Sequence, residues 1–349
     1  MVVSLALSVL IGLVVARGGT EPGATSTATT TSTQGGEILV GLSLDTLKEA
    51  RWQADRDLFV AKAKELGATA LVQSANSDDT RQMQDIEALI SRDVRALVIV
   101  AHDSKTMARA VDIAHKSKIP VIAYDRMIRD ADVDVYVSFD NEKVGEQQAE
   151  YLVKHLPGGK GKIVRIHGAP TDDNAKILKK GQDKVLEPYL KRGDIQVVHE
   201  DWAEEWKPEA GKKIVNAAIT RVGRGFDAVL AANDGTAGGA IQALTEEGIA
   251  GKVIVTGQDA ELPALQRIMA GTQTMTIYKP IKDLAKIAVE TAVKLARRDV
   301  VIARTSVHNG KIEVPAILSP TTAVDKSNLA DTVIKDGFHT KEEIEHLAP

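Results

Sequence analysis

Cysteine is absent from all 349 residues, which excludes disulfides, thiolate chemistry, Cys-ligated zinc and iron–sulfur clusters. Positive charge is not in excess. The 44 Lys and Arg stand against 48 Asp and Glu, a net charge of −4, which gives no basic field for phosphate contacts, so no nucleic-acid partner is expected. The eight His include no His-x-x-x-His pair, and no EF-hand spacing occurs, so no metal or cofactor is expected. Three further motifs are missing: the phosphate-cradling Gly-x-x-x-x-Gly-Lys-Ser/Thr, the dinucleotide-binding Gly-x-Gly-x-x-Gly and the nucleophile elbow Gly-x-Ser-x-Gly. The stretch from Gly235 to Ala240 has the wrong spacing and reads as close packing at a helix start. The acidic pairs Asp78-Asp79, Asp172-Asp173 and Glu204-Glu205 are adjacent in sequence, so their side chains point apart and make poor acid/base partners. No enzyme is expected. Aromatics are only 3%, with three Trp, so any Trp outside an apolar stretch is informative.

What is present is ordinary for a soluble globular protein, with 44% apolar and 26% charged residues, and the length suits two domains. Residues 2–16 form an unbroken apolar and small-residue run. It is shorter than the ~20 residues of a membrane span and suits the apolar region of an export signal, although the usual basic start is lacking. Residues 17–36 are rich in Thr, Ser and Gly and suit a flexible tether. The expectation is an exported protein, in the periplasm or at the outer face of the cell membrane. This order is similar to that of exported bacterial lipoproteins, whose pattern has a Cys where this chain has Arg17.

From Glu37 onward, short β-branched runs alternate with amphipathic stretches. Strands are expected at 38–44, 69–74, 96–101, 121–124, 135–138, 162–167, 196–199, 228–231, 253–256 and 274–278. Helical stretches lie between them. Such alternation predicts an α/β fold of two doubly wound parallel sheets of five or six strands, the break falling near Asp140–Glu142. Residues 309–349 are weakly periodic and are expected to wrap the surface.

Ligands of open α/β sheets bind at the carboxyl ends of the strands, and here those positions are polar. Asp45 follows the first run, with Arg51-Trp52 opening the next helix. Asp125-Arg126, Asp172 to Asn174, Asn233-Asp234, Gly257-Gln258-Asp259 and Lys279 follow later runs. Taken singly, Asp45, Asp172 and Asp234 are expected to cap helices. Cations oppose the dipole at a helix start, so Arg51, Arg126 and Lys279 need another explanation. A ligand rich in neutral hydroxyls explains the set, because each hydroxyl accepts from Arg, Lys or Asn and donates to Asp. Trp52 and Trp206 sit in polar segments and suit the C–H face of a sugar ring, whereas Trp202 reads as partial core. His102 and His167 end strands and could line a cleft.

The segments Glu49-Ala-Arg-Trp-Gln-Ala-Asp-Arg-Asp57, Ala123-Tyr-Asp-Arg-Met127, Ala232-Asn-Asp-Gly-Thr-Ala-Gly-Gly-Ala240, Gly257-Gln-Asp-Ala260 and Tyr278-Lys-Pro280 resemble the type I periplasmic sugar-binding proteins of ABC importers. The resemblance runs from Glu37 to His339. It implies two lobes, 37–139 plus 280–313 and 140–279 plus 314–349, joined by a three-segment hinge. It implies that Trp52 and Trp206 stack on the two sugar faces. Arg51, Asp125 and Arg126 would bind hydroxyls from the first lobe, and Asn174, Asn233, Asp259 and Lys279 from the second or the hinge. The expected ligand is a monosaccharide, an aldopentose with D-xylose foremost. The chain would act as a monomer, closing around the sugar and docking on an ABC permease membrane subunit. A receptor reporting to a sensor kinase, or a sugar-modifying enzyme, are the alternatives. A DNA-binding regulator would need a basic helix-turn-helix ahead of the core, which residues 1–36 do not supply.

Overall fold

Residues 37–346 are described by a computed structural model; the signal-like run and tether of residues 1–36 lie outside the described residues. In chain order the first half comprises β1 (Ile38–Leu44), α1 (Ala50–Glu65), β2 (Ala68–Ser74), α2 (Asp79–Ser91), β3 (Ala96–Ile99), α3 (Ala108–Lys116), β4 (Val121–Tyr124) and β5 (Val135–Phe139). The second comprises α4 (Asn141–His155), β6 (Gly161–His167), α5 (Asp173–Arg192), β7 (Ile195–Trp202), α6 (Pro208–Val222), β8 (Ala228–Ala231), α7 (Asp234–Glu246), β9 (Ile254–Val255), α8 (Leu262–Ala270) and β10 (Thr276–Tyr278). Then follow α9 (Ile281–Arg297), β11 (Thr305–His308), β12 (Glu313–Ser319), β13 (Thr322–Val324) and α10 (Lys341–Glu345). Among these residues no helix is long and apolar enough to cross a membrane.

The first sheet has the order β11-β12-β5-β4-β3-β1-β2, parallel except for β11. Its central strands are buried on both faces, which is why β3 and β4 read as continuous apolar runs, Ala-Leu-Val-Ile and Val-Ile-Ala-Tyr. Alternate residues feed opposite cores. Val98 joins the core under α1 and α9, and Leu97 and Ile99 join the core under α2 and α3. Helix α9 follows the second sheet in sequence yet covers the first. Its stripe Ile281, Leu284, Ala288, Val289 and Ala292 packs with Val40, Leu42 and Val98.

The second sheet has the parallel order β7-β6-β8-β9, and β10 pairs antiparallel with β13. Backbone bonds from Thr274 to Val255 and from Ile277 to Gly257 tie β10 to the end of β9. Two helix pairs covering this sheet touch backbone to backbone. A side-chain carbon at Gly145 of α4 would lie 2.1 Å from the Leu178 carbonyl oxygen of α5, and one at Gly239 of α7 would lie 1.8 Å from the Pro208 carbonyl oxygen of α6. The run from Gly235 to Ala240 is thus close packing, as its spacing predicts.

The chain passes between the sheets three times: after β5, after β10 and after β12. The third passage, expected near Glu313, is displaced. β12 stays in the first sheet through Ser319, paired with β5, and its buried Val314 and Ala316 complete that core. The first sheet therefore has seven strands, not five or six, and residues 305–324 form strands in place of a surface wrap. Parallel pairing places the residues after β1, β4, β6, β8 and β9 at one end of each sheet.

Candidate functional site

Those strand ends surround one cavity of about 430 Å³, solvent mouth included. All nine residues singled out from the sequence line it: Arg51, Trp52, Asp125, Arg126, Asn174, Trp206, Asn233, Asp259 and Lys279. Glu49, Asn141, Asp172 and Gln258 line it as well. Glu49 precedes α1 without capping it, five residues beyond the end of β1, and Asn141 opens α4 two residues after β5; the strand-end reading stops short of the first and passes over the second. Gln258 and Asp172 stand in strand-end clusters, where the sequence gives no separate role for Gln258 and predicts a helix cap at Asp172.

The first sheet contributes a buried ion network. Arg51 enters at the start of α1, and its Nη2 donates to Asp125 Oδ2. Its Nε reaches Asp55 at 3.2 Å and its Nη1 reaches Asp259 of the second half at 3.4 Å. Arg126 Nη1 donates to Asp45 at 2.8 Å, and its Nε lies 2.9 Å from Asp172. Asp125 sits at φ 61°, a left-handed conformation that Asp tolerates better than most residues. Its main-chain carbonyl accepts from Ser138 at 2.6 Å and Tyr136 at 3.0 Å. Burial works to raise the Asp125 carboxyl, but Arg51, Lys279 and Arg126 more than offset it and hold the group below the usual range. Burial dominates at Asp55, which is pushed up to about 6. Burial likewise raises Asp172 and Glu49.

The second half supplies mostly neutral groups. Asn174 Nδ2 donates to Asp125 Oδ1 at 3.1 Å, and Asn233 caps α7 by accepting from the Thr236 N–H at 3.0 Å. Lys279 Nζ lies 2.7 Å from Asp259 Oδ1, which it shares with Arg51. Asp259 is left-handed at φ 97°.

The two tryptophans come from opposite sides. Trp52 is 5% exposed and has the Arg51 guanidinium 4.3 Å from its ring centre and that of Arg126 at 5.4 Å. Trp206 is 8% exposed, and its Nε1 donates to Asp172 Oδ2 at 3.1 Å. Its ring lies on the backbone after β6: a side-chain carbon at Gly168 would lie 2.0 Å from its Cη2. Both Trp206 and the preceding Glu205 are left-handed, at φ 57° and 51°.

The capping expectations divide. Asp172 does cap α5, accepting from the Asn174 N–H at 2.9 Å, while its other oxygen serves Arg126 and Trp206. Asp45 caps no helix; Arg126 and His102 hold it instead. Asp234 is displaced from the cap of α7 by Asn233 and buries its carboxylate against Gln273, Thr276 and the Glu261 N–H. Neither His102 nor His167 lines the cavity: His102 bonds Asp45 at 2.8 Å, and His167 bonds Glu200 at 3.0 Å beside Trp202.

Two flat indoles and planar multi-donor groups suit a small flat ligand with many hydroxyls. The carboxylates Asp45, Asp55, Asp125, Asp172 and Asp259 outnumber the cations Arg51, Arg126 and Lys279, so an anionic ligand would meet repulsion. Each cation is already held by carboxylates in fixed geometry.

Residues 40–299 match the family described as "Periplasmic binding protein domain". The chain is 49% identical over 310 residues to the D-xylose-binding periplasmic protein of Haemophilus influenzae, covering 89% of this chain and 93% of that one. It is 49% identical over 308 residues to the protein of the same name from Escherichia coli, covering 88% and 93%. The fold is similar to the crystal structure of a carbohydrate transporter solute binding protein from Chloroflexus aurantiacus in complex with D-glucose, with TM-score 0.83 and 31% identity over 88% of this chain and 98% of that one.

Proposed function

This chain belongs to the periplasmic binding protein domain family, and from that premise we propose that it is an extracytoplasmic binding protein that captures D-xylose and delivers it to an ABC importer. The observation that carries the reading is the single cavity where Trp52, Trp206 and seven hydrogen-bonding side chains converge from both sheets. The two indoles sandwich the ring. Arg51, Asp125 and Arg126 address its hydroxyls from one side, and Asn174, Asn233, Asp259 and Lys279 from the other. The two sheets with their helices act as lobes, 37–139 with 280–319 and 140–279 with the residues after 319, and the three passages between them form the hinge. Ligand contacts reaching both lobes bias the hinge toward the closed form. The closed monomer docks on the permease membrane subunit, and residues 1–36 direct export and tether the protein outside the cytoplasmic membrane. A scavenging role suits a micromolar dissociation constant, about −8 kcal/mol.

Calorimetric titration with D-xylose, D-ribose, L-arabinose, D-glucose and D-galactose tests the reading, with NMR of the recovered sugar. One-to-one binding strongest for D-xylose, with the sugar returned unchanged, is the expected result. Preference for another sugar overturns the xylose assignment, and conversion of the sugar overturns the binding-protein reading.

A further inference from the structure

Six buried side-chain atoms among the described residues have no hydrogen-bond partner in the protein: Ser74 Oγ, Asp79 Oδ1, Asp85 Oδ2, Arg165 Nε, Glu49 Oε2 and Gln258 Oε1. Only Glu49 and Gln258 line the cavity. The two come from opposite sides. Glu49 stands at the start of α1, where its side chain caps nothing, and Gln258 follows β9 and is 4% exposed. Both unpartnered atoms are oxygens; the Gln258 amide oxygen can only accept, and so can the Glu49 carboxylate when ionised.

The other carboxylates around the cavity each accept from protein donors, although Asp259 Oδ2 is left over. Asp125 Oδ2 accepts from Arg51 and its Oδ1 from Asn174; Asp172 Oδ1 accepts from the Asn174 N–H and its Oδ2 from Arg126 and Trp206; Asp259 Oδ1 is shared by Arg51 and Lys279. A bound hydroxyl must place its proton on an acceptor, and leaving either partner buried and unpaired is costly. Buried acceptors that serve no protein donor are fitted to that task.

We propose that Glu49 and Gln258 are specificity-determining residues, each accepting the proton of a different hydroxyl of the bound monosaccharide, one from each lobe. This assignment rests on the sugar-binding reading above. It makes the protein demand a hydroxyl, and not merely an acceptor of similar size, at two positions of the ring. A site built to hydrogen-bond a hydroxyl rejects an analogue lacking it, because its own buried group is then left unpaired.

The test replaces one hydroxyl at a time by fluorine, which keeps the bulk and can accept but cannot donate. The full chain is titrated calorimetrically with D-xylose and with its 2-, 3- and 4-deoxy-fluoro derivatives, as wild type, Glu49→Gln, Gln258→Met and Gln258→Glu. The wild type should lose about 10-fold or more at the position facing Glu49, as for a hydrogen bond to a charged group, and about 3- to 10-fold at the position facing Gln258. In Glu49→Gln the first penalty should shrink to within about twofold while the others stay, because the new amide can donate to fluorine. In Gln258→Met the second penalty alone should vanish, and Gln258→Glu, which keeps an acceptor, should retain it. Variants that weaken D-xylose and all three derivatives by one common factor overturn the proposal and leave the sugar-binding reading intact. A wild type that binds no sugar overturns both.

Discussion

The two tryptophan walls of the cavity are held by opposite means. Trp52 joins the apolar core under α1 and α9 and meets a charge network on its ring: the guanidinium groups of Arg51 and Arg126 lie against it, and those groups are fixed by five carboxylates. Trp206 is set by sterics and backbone: two successive left-handed residues and a ring pressed on Gly168, with one hydrogen bond to Asp172. A charge network tolerates small shifts of shape but not loss of a charge. A ring lying on main chain tolerates changes of charge but not one added carbon atom.

The largest expected effect breaks the first wall. Arg51→Met leaves Asp55, Asp125 and Asp259 without their shared cation in a buried site, and unfolding by urea should report a loss of about 3–5 kcal/mol, together with loss of D-xylose binding. Gly168→Ala breaks the second. Its added carbon would overlap the Trp206 ring, and calorimetry should report sugar affinity weakened by about 10- to 100-fold, with the Arg51 network and most of the stability retained. The comparison sharpens with Phe at each wall. Trp206→Phe forfeits the bond to Asp172 and should weaken D-xylose by about 1 kcal/mol more than Trp52→Phe does.

A smaller effect is a pH dependence beside the cavity. Glu261 is pushed up to about 8 from 4.5 by burial and then by Asp234, Asp259 and Glu49, and Asp234 is pushed up to about 7 from 3.8 by burial and then by Asp259. A carboxyl with a folded value above its unfolded one binds its proton more tightly in the folded state. The stability contributed by this pair should therefore fall as pH rises from about 4 to about 8, and Glu261→Gln should melt above the wild type at alkaline pH by more than at acid pH. The smallest effect lies at the surface. Lys48 pairs with Glu205 at 2.9 Å between the two walls, yet Lys48 is 48% exposed, so Lys48→Ala should change D-xylose affinity by no more than about twofold, and not at all in high salt.

Much of this was legible in the sequence for a simple reason. Strands buried on both faces, such as Val121–Tyr124, must be apolar throughout, and an abrupt Asp or Arg after such a run marks a strand end. Asp125-Arg126 and Gln258-Asp259 stand out in that way. The strands β11 to β13 do not. β11 is largely exposed, β12 alternates buried with exposed residues and carries Pro315, and β13 spans three residues. β11 pairs with its neighbour β12, but the placing of β12 and β13 is decided by distant partners, Tyr136 to Phe139 and Thr276 to Tyr278, which local periodicity cannot supply. Glu49 and Asn141 were within reach, since Asn141 stands two residues after β5 and Glu49 two before Arg51, but each has the composition of an ordinary helix start. Asp45 and Asp234 have the composition of caps, but buried partners claim their carboxylates.

The passage of α9 and β12 back onto the first sheet sets the order in which the molecule can be completed. The core around Val40, Leu42 and Val98 is covered on that side by α1 alone until Ile281 to Ala292 have been made, and the sheet lacks its neighbour to β5 until Ser319. A growing chain consequently cannot finish its N-terminal half first, as domains built from one continuous segment do. Almost the entire polypeptide must exist before either half is sealed, and contacts so distant in sequence form slowly.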